Sequence, residues 1–193
     1  MKIVKNIILL ALQCFLLSSC STTITPLQLN EVALSRTEVS KVLDIPIQSI
    51  EVNMDVILDK RSSGVIATLD ELEIRSNEKL SQKITNSISK TLKNSGFSIG
   101  SNSEVKLSGF LKEYNANIKG RFPSVGSAKV QFVLSANNLA SRKSYKAQYL
   151  GTTNLQNFSA KQSDLSEMLD KALESALKQM VKDENLIHFL KGN

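Results

Sequence analysis

The chain has no tryptophan, one histidine, three prolines and two cysteines in 193 residues. Each shortage removes something. With a single histidine, His188, and so few thiols, neither a zinc site nor Cys–His nucleophilic chemistry can be assembled. His188 lies between Ile187 and Phe189 near the C-terminus, the setting of a structural or surface residue rather than a general base. No apolar run reaches the roughly twenty residues that a membrane-crossing helix needs. Repeats and low-complexity blocks are missing too. Cations exceed acids, 24 Lys+Arg against 18 Asp+Glu for a formal charge of +6, but they are spread out, as at Lys79, Lys83, Lys90 and Lys93. A scattered excess of this size reads as a solvated surface and predicts no nucleic-acid partner.

What is present starts at the N-terminus. Lys2 and Lys5 precede an apolar stretch from Ile7 to Leu17, broken only by Gln13, and small residues follow. This is the pattern of a secretory signal over residues 1–19. Its end, Leu17-Ser18-Ser19-Cys20, resembles the bacterial lipobox. Leu17 fills an apolar pocket, Ser18 and Ser19 let a peptidase reach the backbone, and Cys20 alone offers a thiol that can form a thioether. Cleavage before Cys20 leaves that residue carrying a diacylglyceryl group and an acylated amine. One acyl chain binds a membrane marginally, whereas two or three anchor it stably. The predicted partner is therefore a membrane, held through acyl chains on Cys20. Processing also removes Cys14, so the remaining chain has no free thiol, no disulfide and no thiolate metal site.

Residues 20–46 read as a lipid-anchored tether. Leu27, Leu29 and Val32 are a possible edge strand in it, interrupted by Pro26 and Pro46. Residues 47–193 then read as one domain. Ile50 to Val56 alternates apolar and polar residues with Leu58 in phase, the period of a half-buried strand. "DKRSSG" is a turn, and Val65 to Leu72 a weaker returning strand. Leu80, Ile84, Ile88 and Leu92 recur every fourth residue, predicting an amphipathic helix from Asn77 to Asn94. Ser76 is its expected N-cap, Glu78 its first-turn acid, and Gly96 its stop.

Val105, Leu107 and Leu111 share one phase, while Phe110, Tyr114, Ala116 and Ile118 share the other. Together they predict a long strand with a bulge near Gly109. "GRFPSVG" is a hairpin loop, after which Ala128, Val130, Phe132, Leu134 and Ala136 point inward, and Tyr145, Ala147 and Tyr149 alternate in turn. A wide stripe from Leu165 to Val181 marks a long helix over Asp164–Lys182 capped by Ser163, and "ENLIHFLKGN" adds a short one. The fold class is α+β: an antiparallel sheet of about four to five strands with two amphipathic helices packed on one face.

Reactive constellations are scarce. Asp70, Glu71 and Glu73, and likewise Asp164, Glu167 and Asp170, are spaced as solvated faces or first-turn acids. Gly100 to Ser103 lacks the lysine of a phosphate loop. Tyr114, Tyr145 and Tyr149 form either a ligand-contacting stripe or ordinary cross-strand packing. The reading is therefore of a protein without a cofactor and without an enzymatic site.

The lipobox cysteine Cys20, the passage "LKNSGFSI", the meander ending "YKAQYLGTT" and the tail "ALKQMVKDENLIHFLK" together resemble the YajG family of small Gram-negative lipoproteins. The resemblance implies a Gram-negative envelope and brings no catalytic residues with it. Ser21 after the lipid-bearing cysteine, where aspartate is absent, implies sorting to the periplasmic leaflet of the outer membrane. The expectation is a non-enzymatic binding or assembly module that engages an envelope protein or a cell-wall component. A lipid-handling accessory subunit is the alternative, and a small carboxylate- or serine-based hydrolase the more distant one.

Overall fold

The computed structural model describes residues 26–40, 50–76, 79–120, 123–157 and 161–192. Its elements in chain order are α1 (Arg36–Ser40), β1 (Glu51–Met54), β2 (Leu58–Asp59), β3 (Val65–Leu69), β4 (Leu72–Arg75), α2 (Leu80–Asn94), β5 (Ser98–Ile99), β6 (Val105–Lys119), β7 (Ser124–Asn138), β8 (Ser144–Asn157), α3 (Gln162–Lys182) and α4 (Glu184–Leu190). The class is α+β as expected, but the sheet is larger and mixed. Eight strands join one sheet.

Three long strands, β6, β7 and β8, form the antiparallel meander, with Phe110 opposite Val133 and Phe132 opposite Tyr149. Along the other edge of β6 the chain runs parallel in three short pieces: β1 at Lys106–Leu107, β2 at Phe110–Leu111 and β3 at Ala116–Ile118. A hairpin adds β4 beyond β3, and β5 pairs parallel with β1. Parallel pairing needs a long crossover, and α2 lies in the one that returns the chain to β6.

The strand phases shift in two places. Val52 is buried, but the chain then kinks, so that Ile57 is wholly buried while Val56 and Leu58 are more than half exposed. The Ile57 N–H leaves the ladder and donates to Thr85 Oγ1 of α2 at 2.8 Å. In β6 the bulge falls between Leu111 and Glu113, at Lys112, rather than at Gly109. Val105, Leu107 and Leu111 therefore face inward before it and Tyr114, Ala116 and Ile118 after it, while Phe110 stays on the opposite face.

Helix α2 buries Leu80, Ile84, Ile88 and Leu92, the four-residue stripe its sequence predicts. It ends as Gly96 demands. That residue takes φ 97°, its N–H donates to Lys93 O, and the Phe97 N–H reaches back to Leu92 O. The start differs: the helix begins at Leu80, Lys79 occupies the cap position, and Ser76 precedes it. Glu78 lies outside the described residues. Helix α3 begins at Gln162, so Ser163 is already helical, and the Asp164 carboxylate accepts from the Lys161 N–H at 2.8 Å. Its buried stripe is Leu165, Met168, Leu169, Ala172, Leu173, Ala176, Leu177, Met180 and Val181. Both helices cover the same face of the sheet, and the core lies between them and it.

The segment before β1 departs from the expected tether. Residues 26–40 contain no strand; Leu27, Leu29, Leu34 and Val39 are buried in the main core. Leu34 donates to Thr91 Oγ1 and accepts from Asn94 Nδ2, Lys90 pairs with Glu31 at 3.2 Å, and Asn30 donates to Asp170 Oδ2. The Leu34 N–H and carbonyl, which a strand would pair with backbone, are paired here with side chains of α2. The segment is a strap held by side chains of both α2 and α3.

Candidate functional site

The residues singled out in the sequence are distributed as follows. Leu17, Ser18, Ser19, Cys20 and Ser21 lie outside the described residues. His188 is exposed on α4. Asp70 sits in the β3–β4 turn at φ 53° and accepts from the Gly120 N–H, with Glu71 and Glu73 exposed beside it. Asp164 caps α3, Glu167 pairs with Lys171 at 2.6 Å, and Asp170 holds Asn30. Asp70, Asp164, Glu167 and Asp170 are thus engaged separately, and no group of three His, Cys, Asp or Glu among the described residues converges to hold a metal.

The tyrosines behave differently from one another. Tyr114 is in the core. Tyr149 tilts against Phe132, ring centroids 5.5 Å apart, and Tyr145 against Phe189. Both phenols then donate to one oxygen, Asp183 Oδ2, at 2.7 Å each. The other oxygen, Oδ1, accepts from the Leu186 N–H and caps α4. Burial first, then the carboxylate, pushes the Tyr145 phenol up to about 12, and Tyr149 is raised further for the same reasons. This is a joint that fastens the α3–α4 corner to β8. The sequence signal that could have found it is an acid one residue before a short apolar helix.

The exposed chemistry is on the other face of the sheet. Phe110, half-buried, lies in a row with Leu58 and the buried Val133, with the exposed Val56 beside it. Two shallow depressions of about 300 and 470 Å³ flank its ring. The Lys60 ammonium stands 4.9 Å from the ring centroid and that of Lys146 5.9 Å. Lys112, turned out by the bulge, lines the first depression.

Around these lysines the acids are already matched. Asp59 binds Arg61 at 2.8 Å, and hydrogen bonds from that guanidinium hold its carboxyl below the usual range. Asp55 pairs with Lys106 at 3.1 Å and Glu113 with Lys129 at 2.8 Å. Lys60, Lys112 and Lys146 have no carboxylate partner among the described residues. The face therefore presents an apolar floor beneath three unneutralised ammonium groups. Periodicity alone hid it, because Phe110 shares its parity with the inward Tyr114 until the bulge intervenes.

Residues 41–191 match the family model described as uncharacterized lipoprotein, of the YajG type. The chain belongs to this lipoprotein family. No curated protein matches it. Among solved structures it is similar to protein XCC0632 from Xanthomonas campestris, of the DUF330 family, with 13% identity, a TM-score of 0.59, and 89% of this chain and 98% of that one covered. That likeness is of fold alone. Weaker similarity extends to a neuraminyllactose-binding hemagglutinin homolog from Helicobacter pylori (10% identity, TM-score 0.49, covering 77% and 91%). It extends also to lipoprotein GNA1162 from Neisseria meningitidis (8%, 0.38, 75% and 99%). Family membership fits an envelope-associated lipoprotein, and no helix among the described residues is long and apolar enough to cross a membrane.

Proposed function

We propose that this lipoprotein is anchored through acyl chains on Cys20 to the periplasmic leaflet of the outer membrane. There it acts as a non-enzymatic binding or assembly module whose working surface is the outer face of the sheet. The observation that carries the binding role is that face: Val56 and Leu58 are 52% and 58% exposed beside Phe110, where a sheet not meant for contact would present polar side chains. The lipobox and the family support the anchor, and Ser21 supports the outer-membrane destination. The lipid-handling alternative needs room between helices and sheet, where, among the described residues, Phe132, Leu111, Leu169 and Leu173 are packed in one core.

Metabolic labelling with radioactive palmitate tests the anchor. Wild-type protein is expected to take up label and sediment with membranes, and Cys20→Ser to do neither. Label retained by Cys20→Ser would overturn the anchoring reading.

A further inference from the structure

We infer that the lysine-rimmed face around Phe110 docks an acidic protein segment in the periplasm, not the membrane to which the chain is tied. The inference rests on the anchoring reading above. Its first support is charge. Lys60 and Lys146 both approach one ring, and neither is ion-paired with a carboxylate among the described residues, the nearby Asp59 and Asp55 being taken by Arg61 and Lys106. Two like charges over a shared aromatic surface, with Lys112 as a third, repel one another until an anion lies between them. The floor beneath is apolar, so the best complement is an Asp or Glu flanked by an aliphatic side chain. Both depressions are open and shallow. That shape suits an extended protein surface, whereas small ligands are enclosed in deeper clefts.

The second support decides between protein and lipid. A basic, partly apolar face on an anchored protein could equally meet anionic headgroups. The strap argues against this. Its contacts Asn30 with Asp170, Glu31 with Lys90 and Leu34 with Thr91 lie on the helical side. Six residue steps from Cys20 to Pro26 reach roughly 20 Å at most. The sheet, about 10 Å thick with its packed side chains, lies between those contacts and Phe110. Turning the lysines to the leaflet would use up much of that reach. The relaxed arrangement sets helices toward the membrane and Phe110 away from it.

The test is site-specific photo-crosslinking of the full-length lipoprotein in its own cells at native expression, with p-benzoylphenylalanine at Leu58 or, as a control, at the exposed Lys171. The expected result is a crosslink from position 58, absent from position 171, that maps to a protein segment rich in Asp and Glu. Reversing Lys60→Glu, Lys112→Glu and Lys146→Glu together should cut its yield at least about tenfold, and the reciprocal acid-to-lysine change in the partner should restore it. All three lysines are exposed, so the triple variant is expected to melt like wild type; a neutral Lys60→Gln, Lys146→Gln pair with an intermediate loss serves as the second variant.

Crosslinks to phospholipid, to wall glycan, to a neutral or basic segment, or to nothing would overturn the inference, as would an unchanged yield after charge reversal. Palmitate labelling in the same cells keeps the two readings apart. Labelling without an acidic crosslink defeats this inference alone, and an acidic crosslink without labelling defeats the anchor alone.

Discussion

Gly151 of β8 lies directly beneath Ala172 of α3: a Cβ on the glycine would stand 1.7 Å from the Ala172 carbonyl oxygen and 2.7 Å from the Ala176 nitrogen. The obstacle is backbone, which cannot swing aside as a side-chain tip can. Three small residues therefore set the distance between helix and sheet. Gly151→Ala is expected to cost about 3 kcal/mol and to lower Tm by roughly 10 °C in a chain of this size. Gly64 is the control, since an added Cβ there meets nothing within 4 Å; Gly64→Ala should leave Tm unchanged or slightly raised. Thermal melts followed by circular dichroism compare the two. Equal melting temperatures would mean that α3 does not cross β8 this closely.

The joint at Asp183 makes stability depend on alkaline pH. The Tyr145 phenol is pushed up to about 12 from an ordinary value of 10.0, and Tyr149 is raised as well. A group whose proton is held more tightly in the folded chain contributes stability in full below its unfolded value and loses it as pH climbs through the folded one. The loss here therefore runs from about pH 10 to about pH 12. Urea unfolding at about pH 8 and about pH 11 should show it, and Tyr145→Phe with Tyr149→Phe should flatten it. At neutral pH Asp183→Ala is expected to cost about 2–3 kcal/mol, because it uncaps α4 and leaves the hydroxyl of the buried Tyr149 without its acceptor. A Phe double variant with the same alkaline loss would assign that loss elsewhere.

The elements legible in the sequence are those whose partners are near in the chain. Leu80 to Leu92 and Leu165 to Val181 announce their helices because a helix's face repeats within a few residues. Alternation from Ala128 to Ala136 and at Tyr145, Ala147 and Tyr149 announces β7 and β8 for the same reason. The parallel edge of β6 was not legible. Its three contacts are two or three residues long and distant in sequence, and no local pattern encodes which strand a short segment will join. Much of the candidate site was lost with it, since Leu58 and Phe110 become neighbours only through that pairing. The Lys112 bulge hid the rest by reversing which parity faces water.

The strap makes a prediction that a free tether would not. Leu34 is wholly buried, its N–H donates to Thr91 Oγ1 at 3.2 Å, and its carbonyl accepts from Asn94 Nδ2 at 2.7 Å. Leu34→Ala is expected to cost about 3 kcal/mol, the usual loss for a fully buried leucine. On a tether the same change would cost nothing measurable. Urea unfolding of the two proteins distinguishes these outcomes, with the exposed Arg36→Ala as a neighbouring control expected to stay within about 0.5 kcal/mol of wild type.

The kink between β1 and β2 inverts what alternation implies about Val56 and Ile57. Read by period two, Val56 would be core and Ile57 solvent-facing. In the fold Val56 is 52% exposed and Ile57 not at all, because Asp55 donates its N–H to Leu107 O and Ile57 then turns away from β6 to donate to Thr85. Ile57→Ala should therefore cost about 3 kcal/mol, and Val56→Ala under about 0.5. Thr85→Val keeps the shape but leaves the Ile57 N–H buried without an acceptor, at an expected cost of about 1–3 kcal/mol. The kink also aims Val56 and Leu58 outward beside Phe110, so a stability loss larger at Val56 than at Ile57 would undo both the strand phase and the apolar floor of the docking face.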